Sequence, residues 1–179
     1  MSDVPVIETA RLELLVPARD HAEALLGVFR ESAVIRHIRP GPVRSVREMQ
    51  AKLAELRLHH RMHGFTYWTV RLKATGQIIG DAGLIRVDEG HDIEFGVRLS
   101  ESAWRKGYGT EAGYAVRDYA FDTCRLERYV AATRPGNVAA RRAMEEGGMV
   151  YLGEAQYYGR LVSLYEIRRS NWRADPTSS

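Results

Sequence analysis

A single cysteine, Cys124, among 179 residues excludes an internal disulfide framework. It falls where a helix is expected to end, a setting that suits a buried, inert thiol better than a nucleophile. No apolar run approaches the ~20 residues that a membrane-spanning helix requires. "MSDVPVIETA" also lacks the basic start and apolar core of a secretory leader, so the expected location is the cytoplasm. Internal repeats and low-complexity linkers are missing, and only "ADPTSS" reads as a disordered tail. The net charge is +3, yet no stretch joins a basic run to interleaved aromatics, which argues against direct nucleic-acid binding. A modest positive surplus suits a polyanionic small molecule instead.

What is present is an ordinary globular balance, 45% apolar and 27% charged residues. A chain of this length reads as one domain, residues 1–172, followed by the tail at 173–179. "RLELLV" (11–16) alternates and is expected to be the first strand. Asp20 offers an N-cap with Glu23 three residues on, and Leu25, Leu26 and Phe29 share a helical face. "RPGP" (39–42) breaks the chain. Ser45 and Glu48 form a second capping pattern, opening a helix that runs to about His63 and stops at Gly64.

The period then changes from helical to alternating. "FTYWTVRLK" (65–73), a turn at 74–76 and "QIIGDAGLIRV" (77–87) signal a hairpin. "DEGHD" (88–92) turns into "IEFGVRL" (93–99), completing an antiparallel meander. A helix is expected from Thr110 to about Asp122, a strand over 128–134, and a helix over 138–146. Closing strands near 149–153 and 161–168 give an α+β mixed, mostly antiparallel sheet of about seven strands with about four helices.

Between the meander and the third of these helices lies "AWRKGYGTEAGY" (103–114), in which residues 107–112 spell G-x-G-x-x-A. This resembles a dinucleotide-binding fingerprint, but the context argues against one. "SESAWRK" separates strand from glycine, the preceding strands are antiparallel, and "RYVAATR" ends in Arg134 rather than an acid. The local physics remains: glycines at 107 and 109 allow close backbone approach, and amides at a helix start receive an anion. A charge-assisted hydrogen bond contributes roughly 1.5–3 kcal/mol against ~0.3–1 for the helix dipole, so the amides dominate.

"RPGNVAARRAMEEGGM" (134–149) adds an asparagine, Asn137, at the mouth of a helix that follows a strand. Strand, long loop, helix, strand and Asn-headed helix in this order resemble the GNAT superfamily of N-acetyltransferases, and most nearly its Rim-type, ribosomal-protein group. "IETARLELLVPARDHAEALLGVF" is similar to that group's opening, "AWRKGYGTEA" to its "W-G-K-G-Y-A-T-E-A" loop, and "YAFDTCRLERYVAATRPGN" and "YEIRRSNW" also fit.

The resemblance implies acetyl-CoA as co-substrate, with no metal, and an amine acceptor: a protein N-terminus or a small molecule. It implies a protein that acts as a monomer or homodimer. Backbone groups of Val97 and Leu99 would pair with the pantetheine arm. Amides of Arg105, Lys106, Gly107, Tyr108, Gly109 and Thr110 would receive the pyrophosphate, with the Arg105 and Lys106 side chains near CoA phosphates. Asn137 would hydrogen-bond the pantetheine. The amine must attack in its neutral form, which at pH 7 costs about 1.4 kcal/mol for an α-amine and about 4.6 for lysine. Glu94 is the candidate base; Asp92 and His91 are weaker ones, and a solvated strand-face glutamate is the bland alternative. Met144 stands where many relatives place a tyrosine acid, and Ala140 where the Rim-type pattern often has serine. The alternatives are a thiolate that needs little help to leave, or Tyr151, Tyr157 or Tyr158 as proton donor, and a non-catalytic acyl-CoA-binding module is the rival reading. "HHRMH" (59–63) lacks the glutamate of a zinc-protease helix and suits a helix C-terminus. Tyr67 and Trp68 read as core residues that also flank an acceptor groove.

Overall fold

The computed structural model describes residues 5–35, 43–87, 92–157 and 159–172. The break at 39–42, His91, Tyr158 and the tail after 172 lie outside the described residues. The chain begins with strands β1 (Pro5–Glu8) and β2 (Leu12–Leu15), then helices α1 (Ala22–Arg30), α2 (Ser32–Ile35) and α3 (Val46–His63). The meander follows as β3 (Tyr67–Leu72), β4 (Ile78–Arg86) and β5 (Ile93–Leu99), leading to α4 (Tyr108–Asp118). A π-helical turn at Tyr119–Thr123 precedes β6 (Arg128–Thr133), α5 (Val138–Glu146), β7 (Val150–Tyr157), β8 (Arg160–Arg168) and α6 (Arg169–Trp172).

Among the described residues all strands join one eight-stranded sheet in the order β1-β2-β3-β4-β5-β6-β8-β7. Every pairing is antiparallel except β5 with β6. The sheet thus has one strand more than the seven expected, because β1 pairs with β2 from Pro5↔Leu15 to Glu8↔Glu13. Four residues with a proline carry too little alternation to be read from sequence, and proline confines such a strand to the sheet edge. The two extra helices, α2 and α6, are four residues each.

Helices cover both faces. On one, α4 buries Ala112 and Val116 in a core with Leu12, Trp68, Leu84, Phe121 and Ile167. On the other, α1 and α3 bury Leu25, Phe29, Met49, Leu53 and Leu56 against Tyr67 and Ile85. Each such Leu or Phe contributes about 1.5–3 kcal/mol over exposure, more than the ~0.7 kcal/mol that separates ordinary residues in helix propensity, so burial fixes the helix faces. Among the described residues no helix is long and apolar enough to cross a membrane.

The capping expectations divide. At α3, Ser45 Oγ accepts from Glu48 N–H at 3.1 Å, while the Glu48 carboxylate takes the N–H of Arg44 rather than Ser45. Gly64 closes this helix at φ 80°, donating to His60 O. Asp20 does not cap α1. A 3-10 turn at Arg19–His21 leads in, and His21 Nδ1 accepts from Ala18 N–H at 3.2 Å and meets Thr69 Oγ1 at 3.0 Å. A buried imidazole tied to β3 replaces the local carboxylate.

Candidate active site

The parallel ladder between β5 and β6 consists of Glu94↔Val130 and Phe95↔Ala131 only. Beyond it β5 runs on to Leu99 without pairing β6, while β6 keeps its ladder with β8 on the other edge through Thr133↔Ser163. A wedge therefore opens between Gly96–Leu99 and the end of β6. Ser100 N–H donates to Ile79 O at 2.8 Å, which sets the alternation along β5. Gly96 and Arg98 turn their backbone groups to β4, and Val97 and Leu99 turn theirs to the wedge. Leu99 O already receives the Trp104 indole N–H at 2.8 Å. The N–H and C=O of Val97 thus form the peptide pair that faces the wedge.

From the end of β5 a short 3-10 turn, Glu101–Ala103, leads toward α4. It is fastened by Glu31, which accepts from Ser100 Oγ and from Glu101 N–H, both at 2.7 Å. Arg105 at φ 59° and Gly107 at φ 80° then reverse the chain. Helix α4 starts at Tyr108 rather than Thr110, with Gly107 as N-cap and no side-chain cap bond. The left-handed Gly107 supplies the turn, so the helix begins at once. Among the described residues, no acceptor takes the backbone N–H groups from Arg105 to Thr110, whereas Glu111 N–H returns to Gly107 O. The Arg105 and Lys106 side chains are exposed beside them. A Cβ on Gly109 would stand 3.8 Å from Val97 Cγ1 and 3.9 Å from Leu99 Cδ1, so this run of donors lies at the wide end of the wedge.

The β1–β2 turn reaches the same loop, which the sequence does not reveal. Arg11 donates from Nη1 to Lys106 O at 2.9 Å, and from Nε and its own N–H to the Glu111 carboxylate at 2.6 and 2.9 Å. Thr9 Oγ1 donates to Glu111 Oε1 at 2.5 Å. Burial alone would raise the Glu111 pKa, but these bonds from Thr9 and Arg11 outweigh it and hold the carboxyl below its ordinary value.

On the opposite face of β5 stand Glu94, Gly96 and Arg98. Glu94 is 7% exposed, so it is not the solvated strand-face residue of the bland alternative. Register places Tyr67 opposite Gly83 and Gly83 opposite Gly96. No β4 side chain obstructs the phenol, and the Tyr67 hydroxyl and ring lie over Gly96. The Arg98 guanidinium grips Asp81 with two hydrogen bonds and sits between the Phe29 and Tyr67 rings at 4.7 and 4.9 Å. Burial works against its charge, but Asp81 foremost, with Tyr67 and Glu94 behind it, raises the Arg98 pKa. Asp92 accepts from Arg128 Nη2 at 2.6 Å, in a network with Glu166.

Across the wedge, Asn137 Oδ1 caps α5 by accepting from Ala140 N–H at 3.2 Å. Its Nδ2 donors have no acceptor among the described residues. Met144 packs against the apolar core. Tyr151 is 42% exposed, with its ring 5.2 Å from Tyr165 and the Arg141 guanidinium 5.3 Å above it. Tyr165, which the sequence reading does not single out, reaches α5 from β8. Its hydroxyl donates to Glu145 Oε1 at 2.8 Å and accepts from Arg141 Nε at 3.0 Å.

Two rival features are accounted for by local bonding. His59 uses both ring nitrogens, Nδ1 with Phe65 O at 2.8 Å and Nε2 with Arg86 N–H at 3.2 Å, leaving neither for a metal. Burial lowers the His60 pKa. Cys124 is half-buried, burial raises its pKa, and its Sγ lies 3.9 Å from Gly64 O, a setting that disfavours the thiolate a nucleophile needs.

The family model described as "Acetyltransferase (GNAT) domain" matches residues 11–150. Over 111 residues the chain is 28% identical to the protein YkkB of Bacillus subtilis (strain 168), covering 61% of this chain and 64% of that one. It is 26% identical to the N-acetyltransferase p20 of Bacillus licheniformis, with 88% and 91% covered. Among solved structures, the ribosomal-protein-S5-alanine acetyltransferase of Vibrio fischeri superposes with a TM-score of 0.78 at 22% identity, over 95% of this chain and 99% of that one. The self-immunity acetyltransferase MccE, in complex with acetyl-CoA and AMP, gives 0.74 at 16% identity, with 89% and 93% covered.

Proposed function

Because this chain belongs to the GNAT acetyltransferase family, we propose that it transfers the acetyl group of acetyl-CoA to a primary amine in a ternary complex. The observation that carries the reading is the wedge between β5 and β6, ending at a run of backbone N–H donors without an acceptor among the described residues. Val97 N–H and C=O suit an extended amide-bearing arm, and the Arg105 to Thr110 amides suit a pyrophosphate. The side chains of Arg105 and Lys106 add charge for phosphates. Asn137, its oxygen engaged as a cap, keeps Nδ2 to offer the pantetheine portion.

In the reaction the amine nitrogen forms a bond to the thioester carbonyl carbon and the C–S bond breaks. Glu94 takes the proton that the amine gives up, directly or through one water, and the sulfur leaves as thiolate. The thiolate takes its proton from Tyr151, Tyr157 or Tyr158, or leaves unaided and takes it from water. A protein α-amine is favoured as acceptor, since it deprotonates about 3 kcal/mol more cheaply than lysine at pH 7. The Vibrio fischeri neighbour, named for a protein substrate, agrees with this choice; small amines are the next class. The reading includes a single domain over residues 1–172 and a cytoplasmic site of action.

Isothermal titration with CoA and acetyl-CoA is expected to give micromolar dissociation constants; no binding at millimolar CoA overturns the reading. Met144 and Ala140, in place of polar residues, favour the rival acyl-CoA-binding module. A screen of peptide N-termini, polyamines and aminoglycosides for free-thiol release separates the two. Turnover with any amine rejects the module.

A further inference from the structure

Building on the acyl-CoA reading above, we propose that Arg11 is a positioning residue that keeps the pyrophosphate-binding amides turned outward. The guanidinium makes three separate contacts with the loop. Nη1 donates to Lys106 O at 2.9 Å, Nε donates to Glu111 Oε2 at 2.6 Å, and Cζ stands 4.5 Å from the centre of the Tyr108 ring. A Cβ on Gly107 would stand 3.2 Å from Nη2, so the group lies directly against the turn.

Peptide planarity converts the first contact into a direction. In a trans peptide the N–H points opposite to the C=O. With Lys106 O held by Arg11, the N–H of Gly107 must face away from it, like its neighbours without an acceptor among the described residues. This peptide joins Lys106 to Gly107; Gly107 is at positive φ, as is Arg105 one residue before the pair. Glycine rotates readily between backbone wells, so nothing in the covalent chain prevents the peptide from turning over. Were it to turn, it would offer a carbonyl oxygen where an anion needs a donor.

The clamp is itself anchored. Leu12 and Leu14 beside it are fully buried, Arg11 O accepts from Lys73 N–H at 2.9 Å, and Thr9 Oγ1 accepts from Leu12 N–H at 2.9 Å. Lysine cannot replace arginine here, because one ammonium cannot reach two acceptors while stacking on a ring. Charge is not the main issue, since Glu111 already balances Arg11.

The test compares wild type with Arg11→Ala, Arg11→Lys and the double variant Arg11→Ala/Glu111→Gln, by CoA titration and by turnover with acetyl-CoA and with S-acetylpantetheine, which lacks the pyrophosphate. Arg11→Ala is expected to raise the CoA Kd and the acetyl-CoA KM at least tenfold, with kcat and S-acetylpantetheine turnover within about twofold of wild type. Arg11→Lys recovers little, and the double variant stays weak, because removing the unbalanced carboxylate does not restore the loop. CoA affinity of Arg11→Ala within twofold of wild type overturns the proposal. So does an equal loss with S-acetylpantetheine, which marks a general structural role, or recovery in the double variant, which marks simple charge repulsion. If Arg11→Ala does not fold, Arg11→Lys decides on the same readouts. A wild-type protein that binds no CoA is a different failure, that of the functional reading itself.

Discussion

The Tyr67 hydroxyl rests on Gly96: a Cβ at residue 96 would stand 2.8 Å from the phenolic oxygen and 3.1 Å from the ring. Gly96 is also the first β5 residue beyond the ladder with β6. A side chain there must therefore push the phenol aside at the mouth of the wedge. Gly96→Val is expected to cost about 1–3 kcal/mol of stability by overpacking and to lower turnover. Combined with Tyr67→Ala, it is expected to cost less than the sum of the two single losses. Urea unfolding of the two single variants and the pair checks this, since additive losses would show that the residues do not compete for one space.

Glu94→Gln removes the proposed proton acceptor while keeping shape and burial. Turnover is expected to fall by roughly 10²–10⁴-fold, the range for a general base, with CoA affinity within about twofold of wild type. Thiol release at saturating acetyl-CoA and calorimetric titration read the two quantities separately. Wild-type turnover would reject the assignment.

The contrast between these residues explains how far sequence carried. Glu94, Val97 and the loop from Arg105 to Thr110 stand on strongly patterned segments, so their elements and faces were legible. Ser45 and Gly64 bracket α3 as read, because caps are local chemistry. What was not legible depends on contacts distant in the chain. His21 replaces Asp20 because Thr69 of β3 lies against it. Glu31 fastens a turn seventy residues on, and Arg11 reaches Glu111 a hundred residues away. The strand divergence at Phe95 has no local signal, since Gly96–Leu99 alternates as regularly as the part that pairs.

The two loop glycines are predicted to fail differently. Gly107 sits at φ 80°, where a side chain costs about 1–2 kcal/mol in backbone strain alone. Gly107→Val is expected to lose both stability and at least tenfold in CoA affinity. At Gly109 a Cβ meets Val97 and Leu99 at ordinary contact distance. Gly109→Ala is thus expected to fold and bind within about threefold of wild type, whereas Gly109→Ile crowds the wedge and abolishes CoA binding. Thermal melts alongside titration distinguish the two modes.

Acid should weaken the Arg11–Glu111 clamp in a defined direction. The folded Glu111 pKa lies below its ordinary value, so the pairing contributes fully above the unfolded carboxyl pKa of about 4.3. That contribution is lost as pH falls toward and through the folded value. The stability gap between wild type and Glu111→Gln is expected to be constant from about pH 5.5 to 8 and to shrink below about pH 4.5. Urea unfolding across that range measures it; a gap that widens in acid would contradict the sign.

Two residue pairs make a short seam for an eight-stranded sheet. Strands β1–β5 and β6–β8 are each laced by antiparallel ladders, yet among the described residues Glu94↔Val130 and Phe95↔Ala131 are the sole strand pairing between the two sets. Local opening follows such boundaries, so the sheet's cooperativity is weakest along this line. An extended ligand bonded to Val97 on one side and to the α5 end on the other would splice the halves. The acetyl donor would then be a structural element of its own enzyme, and an empty chain would be the looser of the two forms.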